Sequence, residues 1–262
     1  MENDRTDDSF QDIVGESPAL KRVLKLAMKV APSDAPVLIL GEAGTGKELM
    51  ARALHRMSLR RKESFVKIHC GGGGAGNLES ELFGHPQEGE SVGGKIGHLE
   101  LANNGILFLD EIAHIPLDLQ AKLLPLRERG KFERRGSRDS IRMNVRLIAS
   151  TKYDLGERVA ERMFREDLYE QLNVFPLRVP PLRERRDDIP LLARYFVEKF
   201  ARRLNKQIES IPAETMPWLM NCDWPGNVRQ LENWIERSVA LTEGPRLQVA
   251  PALQSESEAE TS

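Results

Sequence analysis

Five short apolar runs divide the first two thirds of the chain. They are Val37–Leu40, Phe65–Ile68, Ile106–Leu109, Val145–Ala149 and Val174–Val179. Continuous apolarity, rather than alternation with polar residues, is typical of parallel strands that helices cover on both faces. Segments with helical spacing lie between the runs, and the apolar residues after Lys47 fall on one face: Leu49, Met50, Ala53, Leu54 and Met57. Strands that alternate with helices predict an α/β fold built on a parallel sheet.

The pattern changes from about Asp187 onward. Three amphipathic sets follow without a strand signal, which predicts a small helical domain, and Pro180-Pro181 gives a stiff connection before it. Beyond Ala250 the composition is typical of a disordered acidic segment. We therefore expect a short N-terminal tail, an α/β domain, a helical domain and a disordered acidic tail, with the bounds 1–12, 13–183, 184–245 and 246–262.

Composition places the chain among soluble globular proteins. It has 262 residues, of which 40% are hydrophobic and 30% charged, and the formal net charge is −2. No apolar run approaches the roughly 20 residues that a membrane helix needs, and the polar start does not resemble a secretory signal. Two separated cysteines, Cys70 and Cys222, indicate a reducing compartment without a disulfide framework. We expect a cytoplasmic protein without a membrane partner.

A glycine-rich segment follows the first apolar run directly. Residues 41–47 read Gly41, Glu42, Ala43, Gly44, Thr45, Gly46 and Lys47, and a helical pattern comes next. This order of strand, G-x-x-x-x-G-K and helix is the context of a phosphate-binding P-loop. Backbone amides and the helix N-terminus would hold phosphate oxygens, and Lys47 would add a positive charge. Glu48 stands where most P-loops carry the Ser or Thr that binds magnesium.

The third apolar run ends in two carboxylates, Asp110 and Glu111. After a P-loop, such an acidic pair predicts a nucleoside triphosphatase site. Asp110 would hold Mg²⁺ through its water shell, and Glu111 would orient or deprotonate the attacking water. ATP and Mg²⁺ are accordingly the expected ligands.

A basic segment lies at 127–146 and contains eight Lys or Arg residues against three acids. Two interpretations stay open: a solvated basic hairpin, or a loop that meets a polyanion or an acidic neighbour.

Six motifs together identify a family. The P-loop with Glu48 is followed by five further segments, which are Glu79–His85, Leu109–Ile112, Phe164–Tyr169, Pro180–Arg185 and Trp224–Leu231. In this order they resemble the AAA+ central domain of sigma-54-dependent transcriptional activators, also termed bacterial enhancer-binding proteins. The resemblance covers about residues 10–245. It implies an αβα sandwich around a five-stranded sheet, a helical lid and a ring, usually a hexamer, that acts on sigma-54 RNA polymerase holoenzyme.

The resemblance also assigns roles to single residues. Lys47 would bind phosphate, Asp110 magnesium and Glu111 the water. Arg165 would be an arginine finger that reaches a neighbour's γ-phosphate, and Arg229 the sensor arginine of the lid. Ile13 and Val14 would lie near the adenine. An alternative for both Arg165 and Arg229 is simple pairing with local carboxylates.

Several coupling positions depart from the family pattern. The sigma-54 contact loop of the family carries Phe and Thr, whereas Gly89–Gly94 reads Gly-Glu-Ser-Val-Gly-Gly and is shorter. The helix before it is replaced by Gly71–Gly74, and each helical glycine costs about 1 kcal/mol relative to alanine. Where the family carries Asn, Asn and Arg, this chain has other residues: His69, Lys152 and Gln171.

Three functional hypotheses follow. The first is a transcription-regulatory ATPase of the sigma-54 activator type. The second is an ATP-binding regulatory or scaffold protein of the same descent that does not remodel sigma-54. The third is a nucleic-acid-remodelling AAA+ protein that uses the basic segment. No helix-turn-helix pattern follows residue 245, so we expect no direct DNA-binding domain in this chain.

Overall fold

The structure is a computed structural model, and it describes residues 10, 12–72, 75–84, 96–128, 131–133 and 140–249. The chain forms two compact units. The first unit extends to Ile13 and continues from Lys21 to Val179, and the second combines Val14–Leu20 with the chain from Pro180 onward.

A parallel five-stranded sheet forms the centre of the first unit. Its order is β2-β3-β6-β1-β7, and every neighbouring pair is parallel. A separate antiparallel ribbon pairs β4 with β5. The strand bounds are β1 Val37–Leu40, β2 Phe65–His69, β3 Ile106–Asp110, β4 Lys131–Glu133, β5 Ser140–Arg142, β6 Arg146–Thr151 and β7 Phe175–Arg178. The α/β prediction is confirmed, and all five apolar runs lie in the central sheet.

Helices follow the strands of the first unit and make up most of the second. Their bounds are α1 Pro18–Val30, α2 Lys47–Met57, α3 Ala75–Phe83, α4 His98–Leu101, α5 Leu117–Glu128, α6 Leu155–Ala160, α7 Glu166–Leu172, α8 Ile189–Arg203, α9 Thr215–Asn221 and α10 Asn227–Leu241. Short 3₁₀ turns occupy Ile112–His114, Leu182–Glu184 and Arg186–Asp188. Within the part of the chain that the structure describes, no helix is both long and apolar enough to span a bilayer.

Strand β3 shows why the apolar runs do not alternate. Leu107 and Leu109 belong to a core cluster with α3 and α5, whereas Ile106 and Phe108 belong to a second cluster with α2. All four side chains are fully buried. Because both faces of the sheet are covered, both sets of side chains must be apolar, and the result is an αβα sandwich.

The basic segment contains the β4–β5 ribbon. The structure describes two of its basic side chains, Arg142, which is exposed, and Arg146, which is 1% exposed. Arg146 donates hydrogen bonds to the carbonyl oxygens of Val30 and Ala31 at the end of α1, at 3.1 and 2.5 Å. Burial lowers the pKa of this guanidinium to about 10. Arg146 therefore serves the fold and is not part of a solvated face.

The second unit is helical, as expected for a lid. Its core lies among α8, α9 and α10 and contains Trp224 and Trp234. Buried Asp188 accepts hydrogen bonds from the backbone amides of Glu16 and Ser17, both at 2.7 Å, and from the Ser17 hydroxyl at 2.8 Å. These bonds attach the segment Val14–Leu20 to the second unit.

Candidate nucleotide-binding site

The P-loop connects β1 to α2. Gly44 and Gly46 have φ angles of 75° and 102°, which L side chains rarely adopt. The Thr45 hydroxyl donates to the carbonyl of Glu42 at 2.9 Å and closes the loop. Lys47 is the first residue of α2, so the loop leads directly into a helix N-terminus, which favours an anion such as phosphate.

The ammonium group of Lys47 has three acceptors. Nζ donates to the carbonyl oxygens of Gly41 at 2.8 Å and Glu42 at 3.2 Å, and it lies 3.0 Å from Oε1 of Glu111. Lys47 is 7% exposed and Glu111 is 15% exposed. The fold thus brings together the two residues that the sequence placed at the γ-phosphate and at the attacking water.

Asp110 is the last residue of β3, and its carboxylate has several donors. Oδ1 accepts from the Ser150 hydroxyl at 2.7 Å, and Oδ2 lies 3.2 Å from Nδ1 of His69 and 3.3 Å from Nζ of Lys67. Burial alone would raise the pKa of Asp110, but the Ser150 hydrogen bond and the positive charge of Lys67 bring it below its ordinary value. Asp110 is therefore ionised at neutral pH.

Glu111 has a backbone conformation that is unusual for a non-glycine residue, with φ 57° and ψ 52°. Its amide donates to the Ser150 hydroxyl at 3.3 Å, and its Oε2 accepts from the amide of Lys152 at 3.2 Å. Lys152 contacts Glu111 through its backbone, while its ammonium lies 5.1 Å from the centre of the Tyr153 ring. Ser150 of β6 therefore holds the backbone of Glu111, and the amide of Lys152, just after β6, holds its carboxylate.

Glu48 points toward two cations. Its Oε1 accepts from Nε and Nη2 of Arg52 at 3.0 and 2.8 Å, and its Oε2 accepts from Nζ of Lys67 at 2.6 Å. Burial would raise the pKa of Glu48, but the hydrogen bonds from Lys67 and Arg52 lower it. Sequence reasoning missed Lys67, Arg52 and Ser150. A lysine inside an otherwise apolar strand was the available signal for Lys67.

His69 ends β2, and Cys70 follows it directly. His69 contacts Asp110, and Cys70 is buried. Burial, together with the negative charges of Asp110 and Glu111, raises the pKa of the Cys70 thiol to about 12. The thiol is therefore protonated at neutral pH. Among the described residues no group of three His, Cys, Asp or Glu side chains could hold a metal ion.

The remaining expected residues lie in both units, Ile13 and Arg165 in the first and Val14 and Arg229 in the second. Arg165 precedes α7 and pairs with Asp167 through Nε at 3.0 Å and Nη2 at 2.7 Å. Arg229 is exposed in the first turn of α10. Ile13 packs against the α2 side of the first unit, and Val14 packs against the core of the second. The contact loop Gly89–Gly94 and part of Gly71–Gly74, namely residues 73 and 74, lie outside the described residues.

The first unit is a parallel αβα sandwich, and the lysine of its P-loop contacts Glu111, which follows Asp110 at the end of β3. A helical unit comes after it in the chain. Together these features define a P-loop nucleotide-binding module of the AAA+ class. Comparison with known families agrees. The family model described as "Sigma-54 interaction domain" matches residues 13–178, and the model described as "AAA+ ATPase lid domain" matches residues 183–261. The chain belongs to the sigma-54 interaction domain family and is an ATP-binding module of that family, as its motifs predict.

The chain is similar to part of two curated regulatory proteins. It is 54% identical over 247 residues to the formate hydrogenlyase transcriptional activator FhlA of Escherichia coli (strain K12), an alignment that covers 93% of this chain and 36% of the relative. It is 48% identical over 232 residues to a Nif-specific regulatory protein of Sinorhizobium fredii (strain NBRC 101917 / NGR234), which covers 87% of this chain and 39% of that relative. The chain thus spans little more than a third of these curated relatives.

A solved structure shows the same fold. NtrX from Brucella abortus, crystallised in complex with ATP, superposes with a TM-score of 0.85 at 35% identity, over 95% of this chain and 59% of that chain.

Proposed function

We propose that this chain hydrolyses ATP as one subunit of a ring, usually a hexamer in this family, and that it acts on sigma-54 RNA polymerase holoenzyme in the cytoplasm. The observation that carries the proposal is the convergence of three groups at the carboxyl edge of the sheet. Nζ of Lys47 and Oε1 of Glu111 lie 3.0 Å apart, and Asp110, the last residue of β3, immediately precedes Glu111. A phosphate-binding cation and a candidate general base therefore share one location.

Each residue has a proposed role. Amides of the P-loop, residues 41–48, and the ammonium of Lys47 bind the phosphates. Glu111 accepts a proton from the attacking water, and its two fixed oxygens orient that water. Arg165 exchanges its pairing with Asp167 for the γ-phosphate in a neighbouring subunit. Arg229 senses the nucleotide from the lid, and Ile13 and Val14 contact the adenine.

The ionised carboxylate of Asp110 fits a water-mediated contact with Mg²⁺. Asp110 is ionised, carboxylate oxygens are the ligands that Mg²⁺ prefers, and a cation, the ammonium of Lys67, already lies within 3.3 Å of Oδ2. Asp110 would hold the ion through a water molecule. When bound, Mg²⁺ neutralises charge on the β- and γ-phosphates.

We also propose a domain boundary after residue 183, with the α/β domain at 13–183 and the lid domain at 184–245. The two family matches, which meet between 178 and 183, support a division in this region.

Replacement of the P-loop lysine tests the proposal. Lys47→Ala removes the charge at the phosphates, and we expect it to abolish binding of a fluorescent ATP analogue measured by anisotropy. Lys122→Ala is the matched control, because Lys122 is paired with Glu79 on α3 and belongs to the same unit. Unchanged affinity in Lys47→Ala would overturn the proposal.

A second function is favoured by one observation, the absence of Phe and Thr from Gly89–Gly94. A protein that binds ATP without remodelling sigma-54 would keep the site described above and lose its partner contact. Loss of a buried aromatic anchor commonly costs about 2 kcal/mol at an interface, or roughly thirtyfold in affinity. Capture of sigma-54 holoenzyme in the presence of a transition-state nucleotide analogue separates the two functions, because only the remodelling ATPase retains the polymerase.

A further inference from the structure

The ammonium group of Lys67 contacts two acids, Glu48 directly after Lys47 and Asp110 at the end of β3. It lies in the middle of β2, and its Nζ is 2.6 Å from Oε2 of Glu48 and 3.3 Å from Oδ2 of Asp110. Lys67 itself is about one third exposed, at 32%. One ammonium group therefore connects the first turn of α2 to the end of β3.

The other contacts of these acids show what Lys67 contributes. Arg52 occupies Oε1 of Glu48, and Ser150 occupies Oδ1 of Asp110. The remaining oxygen of each acid faces Lys67, and His69 is a further neighbour of Asp110. The contact with Glu48 is the shorter of the two, so Glu48 anchors the ammonium beside Asp110.

The anchor depends on a departure from most P-loops. A Ser or Thr after Lys47 would offer a hydroxyl to the metal ion, but it would carry no charge to hold a lysine. Glu48 supplies that charge, and it turns toward Lys67 and Arg52.

We propose that Lys67 is a positioning residue that fixes the carboxylate of Asp110 and competes with the water shell of a divalent cation for its Oδ2. Lys67 thereby sets the concentration of divalent cation at which Asp110 is engaged. The inference rests on the proposed function in one respect, namely that Asp110 is the residue that engages the cation. The physical reason is direct: two cations that approach the same oxygen repel each other, and each lowers the affinity of the acid for the other.

Binding of Mn²⁺ alone tests the inference without nucleotide or turnover. Electron paramagnetic resonance of free Mn²⁺ is measured during titration of the full chain. We expect Lys67→Met to bind Mn²⁺ at least about tenfold more tightly than the parent, since an opposite charge within about 4–6 Å shifts ionic equilibria of an acid by a factor of ten or more. Lys67→Arg keeps the charge and should stay near the parent.

Arg52→Met is the matched control. It removes the same charge from the same acid, Glu48, but Arg52 contacts Oε1 and lies over the Phe65 ring. We expect less than about a twofold change in Mn²⁺ affinity, because the Lys67–Asp110 contact persists. A gain equal to that of Lys67→Met would show a general effect of charge and would overturn the inference.

A third variant locates the bound ion. Asp110→Asn in the Lys67→Met background should remove the gain, and a gain that survives it overturns the inference. The inference is also overturned if the parent and Lys67→Met bind Mn²⁺ with equal affinity, or if neither binds Mn²⁺. Lys67→Gln replaces Lys67→Met if the latter does not unfold cooperatively. If Lys67→Met increases Mn²⁺ affinity as expected but the parent protein binds no ATP analogue, only the proposed function is contradicted. If the parent protein binds the ATP analogue but Lys67→Met leaves Mn²⁺ affinity unchanged, only the role of Lys67 is contradicted.

Discussion

At the residue scale, Glu111 is constrained in both its backbone and its side chain. Its φ of 57° costs backbone energy, and its carboxylate is fixed between Nζ of Lys47 and the amide of Lys152. An ammonium group has three protons, and those of Lys47 face Glu111 and two carbonyl oxygens of the P-loop. A phosphate that binds to Lys47 must therefore replace one of these three acceptors. Glu111 is the one whose acceptor oxygen belongs to a side chain and not to the backbone.

Glu111→Gln separates binding from hydrolysis. The amide cannot accept a proton, so we expect single-turnover hydrolysis to slow by about 10²–10⁴-fold. We expect affinity for ADP to stay equal or to increase, because a neutral side chain holds Lys47 less strongly. Radiolabelled ATP and anisotropy measure the two effects. Glu157→Gln, an exposed change on α6, is the control, and hydrolysis at the parental rate would exclude Glu111 as the base.

At the element scale, Arg60 links three loops at the amino end of the sheet. It is 9% exposed. Its guanidinium donates to Asp34 Oδ1 at 2.8 Å before β1, to the Gly105 carbonyl at 3.1 Å before β3, and to the carbonyl and side-chain oxygens of Asn144 at 2.7 Å before β6. These bonds align three neighbouring strands whose carboxyl ends carry the site.

Arg60→Met should destabilise the first unit. It leaves buried carbonyl oxygens with fewer donors, and we expect the free energy of unfolding to fall by about 2–3 kcal/mol. Urea denaturation followed by circular dichroism measures the change. Arg61→Met, an exposed neighbour, should change it by less than about 0.5 kcal/mol. A loss of similar size in both variants would contradict a specific role for Arg60.

Asp34 makes part of this stability depend on pH. The hydrogen bond from Arg60 outweighs the effect of burial and holds the pKa of Asp34 below its ordinary value of 3.8. A carboxyl group whose folded pKa is lowered stabilises the fold above the unfolded pKa, and this stability is lost as the pH falls through the folded pKa. We expect Asp34→Asn to be less stable at pH 7 and to lose less stability below pH 3.8. Chemical denaturation of the parent and of Asp34→Asn at pH 7 and pH 3 measures both free energies of unfolding. An equal loss of stability between the two pH values in both proteins would contradict this expectation.

At the scale of the whole molecule, the role that we propose for Arg165 makes hydrolysis depend on two subunits. Arg165 is exposed at 41% and is held by Asp167 on its own chain. A finger that acts in a neighbouring subunit implies that turnover requires assembly.

ATP turnover per subunit should therefore rise steeply with protein concentration. We also expect a mixture of the Lys47→Ala and Arg165→Ala proteins to recover part of the turnover that each lacks alone. The Lys47→Ala subunit supplies the arginine finger, and the Arg165→Ala subunit supplies the intact P-loop. A phosphate-release assay measures both effects, and Arg162→Ala in place of Arg165→Ala is the control. Turnover that is independent of concentration, with no recovery in the mixture, would place the whole site in one subunit.

The sequence by itself determined the features whose residues are contiguous. The strand, glycines and lysine of the P-loop follow one another along the chain, and Asp110–Glu111 directly ends an apolar run. Burial on both faces of the sheet leaves a continuous apolar pattern, so the strands could also be predicted. Family motifs then identified the lid and assigned Arg165 and Arg229 to expected roles.

Only the tertiary structure decided which distant residues meet. The order β2-β3-β6-β1-β7 brings Lys67 of β2, Ser150 of β6 and the amide of Lys152 around the acidic pair of β3. It also buries Arg146 against the end of α1, although its sequence context is a basic run. Asp188 binds Ser17 across 171 positions. Local patterns reflect short-range preferences of the backbone and the environment of single elements, whereas these contacts depend on strand order, which no local pattern specifies.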